Sequence, residues 1–425
     1  MSVRSSAETV ASSSGPGKAG AAFVGPLVLA QFGVYLAFIT PLAISLSIRV
    51  AQIAPGKVEY LGYITGSGAL VTVLAGPLLG ALSDRTRCRF GRRRPFVVGG
   101  AAVGVAGLVV MALAPGVGVL GLGWVLAALG WQQALTKLVV VQADLLPPAQ
   151  RGRVAGLGGF ATMAAPFVGV SLANAVKGDP LPLLVLPGVI GAAAVLLFAL
   201  MCGEPDSRGL PAPPPLTAGA VFRSYLWDCR RHRDFTLVWL GRFAFYFGLT
   251  LVTTFTAFFF AARLAVPVPE AAGTLAALAG AGAAATAAGS LGGGFLSDRL
   301  GRRRVFVLLS GTLYAAGAAT MALSTGLAPL VTGSLICAFG LGLFSAVDQA
   351  LALDVLPERA TDAGRYTAIL QFATSIPHSA APAAAPLLLN LAVDGTAKNY
   401  TLLYLVAGAA TLIGGLIALR VRSAR

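Results

Sequence analysis

The two halves of the chain carry the same series of short blocks in the same order. The segment GALSDR at residues 80–85 returns as GFLSDR at 294–299, and each copy ends a long apolar run and is followed by Gly-Arg-Arg-Arg. Further along, Asp144 and Asp354 each stand three residues before a proline, and the Gly-Arg pair at 152–153 returns at 364–365. A repeat of about half the chain inside a hydrophobic protein is typical of polytopic membrane proteins built from two parallel repeats.

The composition independently indicates a membrane protein. Hydrophobic residues make up 56% of the chain and charged residues only 11%, whereas a soluble domain has about 25% charged residues. A helix needs about 20 apolar residues to cross the hydrocarbon layer. We therefore predict an all-α polytopic membrane protein with twelve transmembrane helices in two pseudo-symmetric six-helix bundles, over residues 21–48, 61–82, 96–114, 117–146, 154–176, 181–201, 235–264, 271–296, 305–323, 326–356, 366–391 and 400–419.

Four segments follow from this pattern. We predict a disordered N-terminal tail at 1–20, a six-helix bundle at 21–201, a linker at 202–234 and a second six-helix bundle at 235–425. The tail is polar and is not expected to be a signal peptide, because the apolar run that follows is long enough to stay in the membrane. The linker begins with a proline-rich part, and its later part at 221–227 is either an amphipathic helix at the membrane interface or a solvated connector.

The positions of the cations predict the orientation of the chain. Most of the 31 Lys and Arg residues lie on the side of the two repeated loops. The positive-inside rule therefore places that side and both termini in the cytoplasm of a bacterial-type plasma membrane. The net charge of +15 is explained by short basic loops beside anionic lipid, and no nucleic-acid partner is expected. The opposite side carries only Arg49, Lys57, Lys177, Arg263 and Lys398.

Nothing in the sequence indicates an enzyme or a cofactor. The four cysteines show no metal-ligand spacing, and the only histidines are His232 and His378. No phosphate-binding Gly-x-x-x-x-Gly-Lys-Ser/Thr segment is present. We therefore expect no metal, no catalytic residue and no ATP-driven activity in this chain alone.

The repeated loop carries a resemblance to a known family. Over nearly its whole length the sequence resembles major facilitator superfamily transporters, whose loop motif is matched at Gly80, Asp84, Arg85, Gly91 and Arg92 and again at Gly294, Asp298, Arg299, Gly301 and Arg302. The first copy has a longer loop before Gly91, and this form is similar to that of sucrose transporters and glycoside-pentoside-hexuronide symporters. The resemblance implies a monomeric carrier of a small molecule that works by alternating access. It also implies that helices 1, 4, 7 and 10 line a central cavity.

The sequence departs from that branch at two places. Sodium-coupled members carry carboxylates on their first two helices, whereas residues 21–48 and 61–82 contain no Asp or Glu. Plant-type sucrose carriers have an arginine shortly before the Asp that ends helix 4, and Lys137 does not align with it. We therefore expect coupling to protons and not to sodium.

The loop motif predicts a gate at one face of the membrane. A carboxylate at a helix end accepts hydrogen bonds from a neighbouring helix N-terminus and pairs with arginines. We expect Asp84, Asp298 and their neighbours Arg85, Arg92, Arg299 and Arg302 to form this latch. Asp144 and Asp354 are predicted to join it with Arg153 and Arg365 as partners, and simple anchoring at the interface is the alternative.

Charged residues deep in the predicted helices are candidates for proton coupling, because ionisable groups inside a membrane are costly unless they function or are paired. Lys137, Arg242 and Asp348 each lie on the order of 10 Å inside. Our hypothesis is that Asp348 pairs with Lys137 or Arg242 across the interface between the halves and is protonated during transport. A static ion pair is the alternative. His378 either relays protons or makes one structural hydrogen bond.

Neutral polar residues on the predicted cavity helices are candidates for substrate contact. Amides, hydroxyls and aromatic faces together recognise polyols such as sugars, and also many drug-like compounds, although polar groups also join helices in lipid. The candidates are Gln31, Tyr35, Trp131, Gln132, Gln133, Tyr246, Thr250 and Gln349.

Two functional hypotheses remain open from the sequence. The first is proton symport of a sugar or glycoside, favoured by the longer loop. The second is proton antiport of a hydrophobic or cationic compound, because APFVG at 165–169 is similar to the Pro-Gly element of antiporters. A sensor or scaffold of this fold is disfavoured by the cost of the intramembrane charges.

Overall fold

The computed structural model describes residues 21–203, 206–208, 227–357, 363–391 and 398–422, and secondary structure in these ranges is helical. The first helix, α1, is α-helical over Ala21–Thr40, π-helical over Pro41–Ser45 and α-helical again over Leu46–Ile53, five residues beyond its predicted end. The N-terminal set continues with α2 (Glu59–Arg85), α3 (Arg94–Ala112), α4 (Val117–Leu145), α5 (Pro148–Ala175) and α6 (Pro180–Met201).

The second set repeats the first. It comprises α7 (Arg233–Leu264), α8 (Val268–Leu300), α9 (Arg303–Ala322), α10 (Leu327–Asp354), α11 (Ala363–Leu389) and α12 (Tyr400–Ala418). Eleven of the helices in the described ranges are long and apolar enough to cross a membrane. The remaining one, α11, has three internal prolines. The twelve-helix architecture predicted from the repeat is confirmed.

Some predictions fall outside the described residues. The N-terminal tail at 1–20, most of the linker with its possible amphipathic helix, and the side chain of Arg153 belong to this group. The assignment of 21–201 and 235–425 as two separate bundles stays a prediction.

Close helix contacts recur at equivalent glycines in the two sets. A Cβ atom added at Gly107 on α3 would lie 2.6 Å from the carbonyl oxygen of Gly123 on α4, and one added at Gly317 on α9 would lie 2.6 Å from that of Gly333 on α10. These distances are too short for any side chain larger than hydrogen. Small residues let membrane helices approach this closely and so gain van der Waals contact. The repeat in the sequence is therefore also a repeat in packing.

In both sets, an arginine near the end of the first helix donates hydrogen bonds to the C-terminal end of another helix. Arg49, near the end of α1, donates to the carbonyl oxygens of Ala112 and Ala114 at 3.2 and 3.0 Å. Arg263, near the end of α7, donates to the carbonyl of Ala322 at 2.5 Å and to Thr401 at 2.6 Å. Each guanidinium thus satisfies carbonyls at a helix C-terminus, where the helix dipole also favours a cation. An arginine near the end of the first helix of each set is therefore a repeated feature of the sequence, and it was not among the predicted ones.

The two sets of helices meet along two seams. In one seam α2 packs on α11, and in the other α5 packs on α8. We name the end of the molecule that carries Asp84 and Asp298 the motif face and the other end the opposite face. Near the opposite face, the Lys398 ammonium lies 3.0 Å from the Glu59 carboxylate at the start of α2. This ion pair joins the two sets.

Candidate functional site

One large cavity lies between the two sets of helices. Its volume is about 1130 Å³, and residues of α1, α2, α4 and α5 face residues of α7 to α11 across it. Near the opposite face the seams are tight, because Cβ atoms added at Gly66 and Gly280 would lie 3.0 Å from Ser379 and Phe167. On the motif face, Arg93 and Arg303 each form their ion pairs within one set. The lining extends towards the motif face as far as Val140 on α4 and Ala368 on α11.

The hydrogen-bonding side chains of the cavity are concentrated on one side. Four helices, α4, α2, α11 and α7, pack against one another in that order and form what we name the polar wall. Its amides, hydroxyls and imidazole belong to Thr65, Thr72, Gln132, Gln133, Thr136, Thr250, Thr253, Thr254, Thr256, Gln371, Ser375 and His378. Thr72 and Ser375 were not among the predicted residues, because they lie on α2 and α11, outside the four helices expected to line the cavity.

The other side of the cavity is largely hydrocarbon. Helices α1, α5, α8 and α10 pack in that order and form the apolar wall. Its two aliphatic hydroxyls are already engaged, since Thr286 donates to the carbonyl of Ala338 at 3.1 Å and Ser334 donates to the Met321 sulfur at 3.5 Å. Tyr35 on α1 adds one phenol hydroxyl to this wall. The apolar side chains of this wall include Phe38, Leu42, Val170, Leu275, Leu278 and Leu341.

Two buried polar atoms at the cavity have no hydrogen-bond partner. They are the Oε1 atom of Gln133 and the Nε1 atom of Trp124, both on α4 and both in residues that line the cavity. Gln133 is 7% exposed and Trp124 is 2% exposed. Buried polar atoms are nearly always satisfied in proteins. An unpaired acceptor and an unpaired donor therefore indicate places where a bound molecule completes the hydrogen bonding.

The threonine hydroxyls of the polar wall have their hydrogens engaged within their own helices. Thr72 donates to Gly68 at 2.8 Å, Thr250 to Tyr246 at 2.7 Å, and Thr253 to Leu249 at 3.0 Å. A hydroxyl has one hydrogen and two lone pairs. These side chains therefore offer acceptor oxygens to the cavity.

The structure divides the predicted cavity residues into two groups. Tyr35, Gln132, Gln133 and Thr250 line the cavity, and so does His378, whose Nδ1 lies 3.2 Å from the Thr250 hydroxyl. The other four lie outside the lining.

Each of the four has a different contact. Trp131 is fully buried and packs against Gly104 of α3, where only a glycine leaves room for the indole. Gln31 donates to Gln142 at 2.9 Å. Tyr246 stacks edge-on against Phe344, and Gln349 accepts from Arg242 at 3.1 Å. The expectation that these four line the cavity was wrong, because helix packing turns them away from it.

Two of the three predicted intramembrane charges, those of Arg242 and Asp348, pair with each other within one set of helices. Arg242 on α7 and Asp348 on α10 form an ion pair with an Nε–Oδ2 distance of 2.6 Å, and both side chains are buried. Arg242 was one of the two predicted partners of Asp348, but the predicted position of the pair across the two halves was wrong, because α7 and α10 belong to the same set. Lys137 lies buried on α4 in the other set and is not a partner of Asp348.

At the motif face, each copy of the loop forms a cluster around one arginine. Arg93 contacts Asp84 and lies 3.7 Å from Asp144. Arg303 lies 3.0 Å from Asp298 and 2.5 Å from Asp354. The carboxylates predicted for the latch are therefore brought together.

The arginines at the centre of these clusters differ from the predicted ones. Arg92 and Arg302 were the predicted partners, but the next residue in each loop reaches the carboxylates because α3 and α9 begin there. Gly91 and Gly301 have φ angles of 87° and 61°, which only glycine adopts readily. Arg365 lies over the ring of Tyr366.

The additional residues of the first loop contact the start of the linker. The amide of Cys88 donates to the Ser207 hydroxyl at 3.0 Å, and the amide of Ser207 donates to the carbonyl of Cys88 at 3.2 Å. Beside Ser207, hydrogen bonds from the Arg208 side chain and backbone lower the pKa of the Asp206 carboxyl. These hydrogen bonds hold the start of the linker, which follows α6, against the longer loop between α2 and α3.

Two helical sets, a cavity between them and a duplicated charged loop define a polytopic membrane carrier. The family model of the major facilitator superfamily matches residues 21–291 and 238–425. The chain belongs to this superfamily of membrane transporters.

Solved structures share the fold at low sequence identity. A bacterial homologue of the human lysosomal transporter Spinster, in an inward-facing and unoccupied conformation, is 19% identical, with 95% of this chain and 99% of that chain covered and a TM-score of 0.68. The nucleoside transporter NupG is 11% identical with a TM-score of 0.73, covering 94% and 98% of the two chains. The peptide transporter POT in complex with sulfate is 15% identical with a TM-score of 0.70, covering 93% of each. No functionally curated protein matches the sequence significantly.

Proposed function

We propose that the protein imports a sugar or glycoside together with protons by alternating access, as the longer first loop and its similarity to the sucrose and glycoside-pentoside-hexuronide branch suggest. One observation carries this proposal. The residues lining the cavity in the described ranges include amides, hydroxyls and an imidazole but no Asp, Glu, Lys or Arg. Such a lining suits neutral polyols, whose many hydroxyls need hydrogen bonds and no counter-charge.

The distribution of cations supports a cytoplasmic motif face and cytoplasmic termini in a plasma membrane. With that orientation, and because the seams between the two sets are tight near the opposite face, we infer that the cavity opens to the cytoplasm. The Glu59–Lys398 ion pair then closes the external side. This state releases an imported substrate.

Asp348 is the proposed proton-carrying group. Its carboxylate is held by Arg242 at 2.6 Å and is buried, so protonation requires the guanidinium to move away. Arg242 also contacts Gln349, and Tyr246 lies between this pair and His378 at the cavity, its ring 6.1 Å from the imidazole. Substrate contact at His378 is therefore two side chains away from the ion pair.

Proteoliposomes that contain a pH dye test the proposal. Addition of a sugar or glycoside outside should acidify the interior in the wild-type protein. The Asp348→Asn variant should lose proton-driven accumulation and keep substrate exchange, because exchange needs no net proton movement. Asp179→Asn is a matched control, since Asp179 is an exposed helix cap on the opposite face that asparagine replaces well. Unchanged accumulation by Asp348→Asn would contradict the assignment.

Export by proton antiport is the second candidate, favoured by the hydrocarbon of the apolar wall. Pro166 of the APFVG segment lines the cavity there. In the same liposomes, a drug that makes the interior more alkaline while sugars have no effect would establish this function instead.

A further inference from the structure

We propose that the cavity takes an uncharged glycoside with an apolar aglycone, and that the sugar lies on the polar wall while the aglycone lies on the apolar wall. This inference rests on the proposed function and names both parts of the substrate.

The described residues that line the cavity carry no charged side chain, and this disfavours tight binding of ionic substrates. The nearby Arg242 and Asp348 neutralise each other at 2.6 Å, and Lys137 is not among the lining residues. A carboxylate, phosphate or ammonium that enters the cavity leaves water without finding a partner of opposite charge. Burying an unpaired ion is strongly unfavourable. The substrate that fits carries no formal charge.

The polar wall requires hydrogen-bond donors from the substrate. The Oε1 atom of Gln133 is buried without a partner, and the hydroxyls of Thr72 and Thr250 present lone pairs because their hydrogens are engaged within their helices. A sugar ring supplies several O–H donors close together. Its oxygens are also acceptors for the unpartnered Nε1–H of Trp124.

The apolar wall requires a second, non-sugar part. The cavity of about 1130 Å³ is slightly larger than the range of about 300–1,000 Å³ seen for sites that bury drug-sized ligands. A monosaccharide would leave side chains such as Leu275, Leu278 and Leu341 in contact with water. An aryl or alkyl aglycone removes that apolar surface from water, which is favourable in proportion to its area. One molecule with two such parts matches both walls.

Calorimetric titration of the full-length protein in nanodiscs tests this without a proton gradient. The probes are methyl β-glucoside, phenyl β-glucoside and phenyl β-glucuronide. Phenyl β-glucoside should bind at least tenfold more tightly than the methyl compound, because burying a phenyl ring removes much more apolar surface from water than burying a methyl group does. Phenyl β-glucuronide has a carboxylate in place of the hydroxymethyl group of the glucoside. It should bind at least tenfold more weakly than phenyl β-glucoside.

Variants of each wall locate the two parts. Gln133→Leu should weaken both glucosides at least tenfold, and Leu278→Ser should weaken only the phenyl compound. Thr312→Val, at an exposed α9 hydroxyl bonded to its own helix, is the control and should change neither. The melting temperature of each variant shows whether it is folded.

Three results overturn the inference, namely no binding of either glucoside, equal affinity for the methyl and phenyl compounds, and equal affinity for the glucuronide. Selective binding without proton movement in liposomes would instead contradict only the coupling. Proton movement driven by free sugars, with no gain from an aglycone, would support the proposed function and contradict this inference.

Discussion

Removing the ion pair at the opposite face should shift the equilibrium between the two conformations of the carrier. Glu59 and Lys398 lie 3.0 Å apart and are 22% and 12% exposed. At an effective dielectric constant of about 20, Coulomb's law gives an attraction of roughly 5 kcal/mol at this distance. Desolvation of both ions offsets most of it. We expect a net contribution of about 1–2 kcal/mol, so that Lys398→Met populates the opened form about 5- to 30-fold more.

Spin labels on the two sets of helices measure this shift. Gly178 and Gly326 lie in loops at the opposite face, one in each set, and a Cβ atom added at either position meets no atom within 4 Å. Cysteines at these positions, in a background without the native cysteines, allow distances to be measured by double electron–electron resonance. Lys398→Met should add a longer-distance population that the wild-type protein lacks.

Two further variants distinguish the effect of losing the ion pair from the effect of losing any positive charge at this face. The double variant Glu59→Lys with Lys398→Glu should restore the short distance, since it keeps the attraction with the charges exchanged. Lys57→Met removes an exposed cation beside Tyr60 on the same face and should have no effect. An unchanged distance distribution in Lys398→Met would refute the reasoning, because it would mean that helix packing alone closes this face.

Three other predictions concern stability and gating. Gly107→Ala should lower the melting temperature in detergent, because overpacking costs about 1–3 kcal/mol. Gly118 has open space around it, so Gly118→Ala should leave the melting temperature unchanged. Equal melting temperatures for the two variants would contradict the role of Gly107 in close helix packing. Arg263→Met should also destabilise the protein, by about 1.5–3 kcal/mol for each lost charged hydrogen bond, and full stability would show that water replaces it. Arg303→Ala should alter the transport rate more than Arg302→Ala in a liposome uptake assay, because only Arg303 bridges the two carboxylates, and equal effects would contradict that assignment.

The fold followed from the sequence because its determinants are local. Length and hydropathy of each apolar stretch decide whether it crosses a membrane, and the repeated loops fix the division into two sets. Boundaries were less accurate where the chain lacks a strong breaker, as at the end of α1, which continues to Ile53. Arg49 and Arg263 lie outside the known loop motif, yet they make equivalent contacts in the two sets. A residue that recurs at equivalent positions of a repeat can therefore predict a structural contact.

The candidate site was only partly predictable because it depends on how each helix is rotated. Residue type indicated a polar cavity, but Trp131 was assigned to it although Gly104 on α3 receives its ring. The spacing of Gly100, Gly104 and Gly107 on one helix face is a signal that predicts this contact. The partner of Asp348 depended on which helices are neighbours within one set, and hydropathy does not contain that information.

The threonines of the polar wall have a consequence for how ligands are discriminated. Since Thr72, Thr250 and Thr253 direct their hydrogens to their own helices, the wall meets a ligand mainly with lone pairs. A sugar with methylated hydroxyls keeps its ring, its oxygens and nearly its shape, yet it has no hydrogens to give. Such a compound can still accept a hydrogen bond from the Nε1–H of Trp124, but it loses every hydrogen bond that its hydroxyls would donate to the threonine oxygens. The side chains that give the cavity its polarity thus recognise where a molecule carries its protons, more than what outline it has.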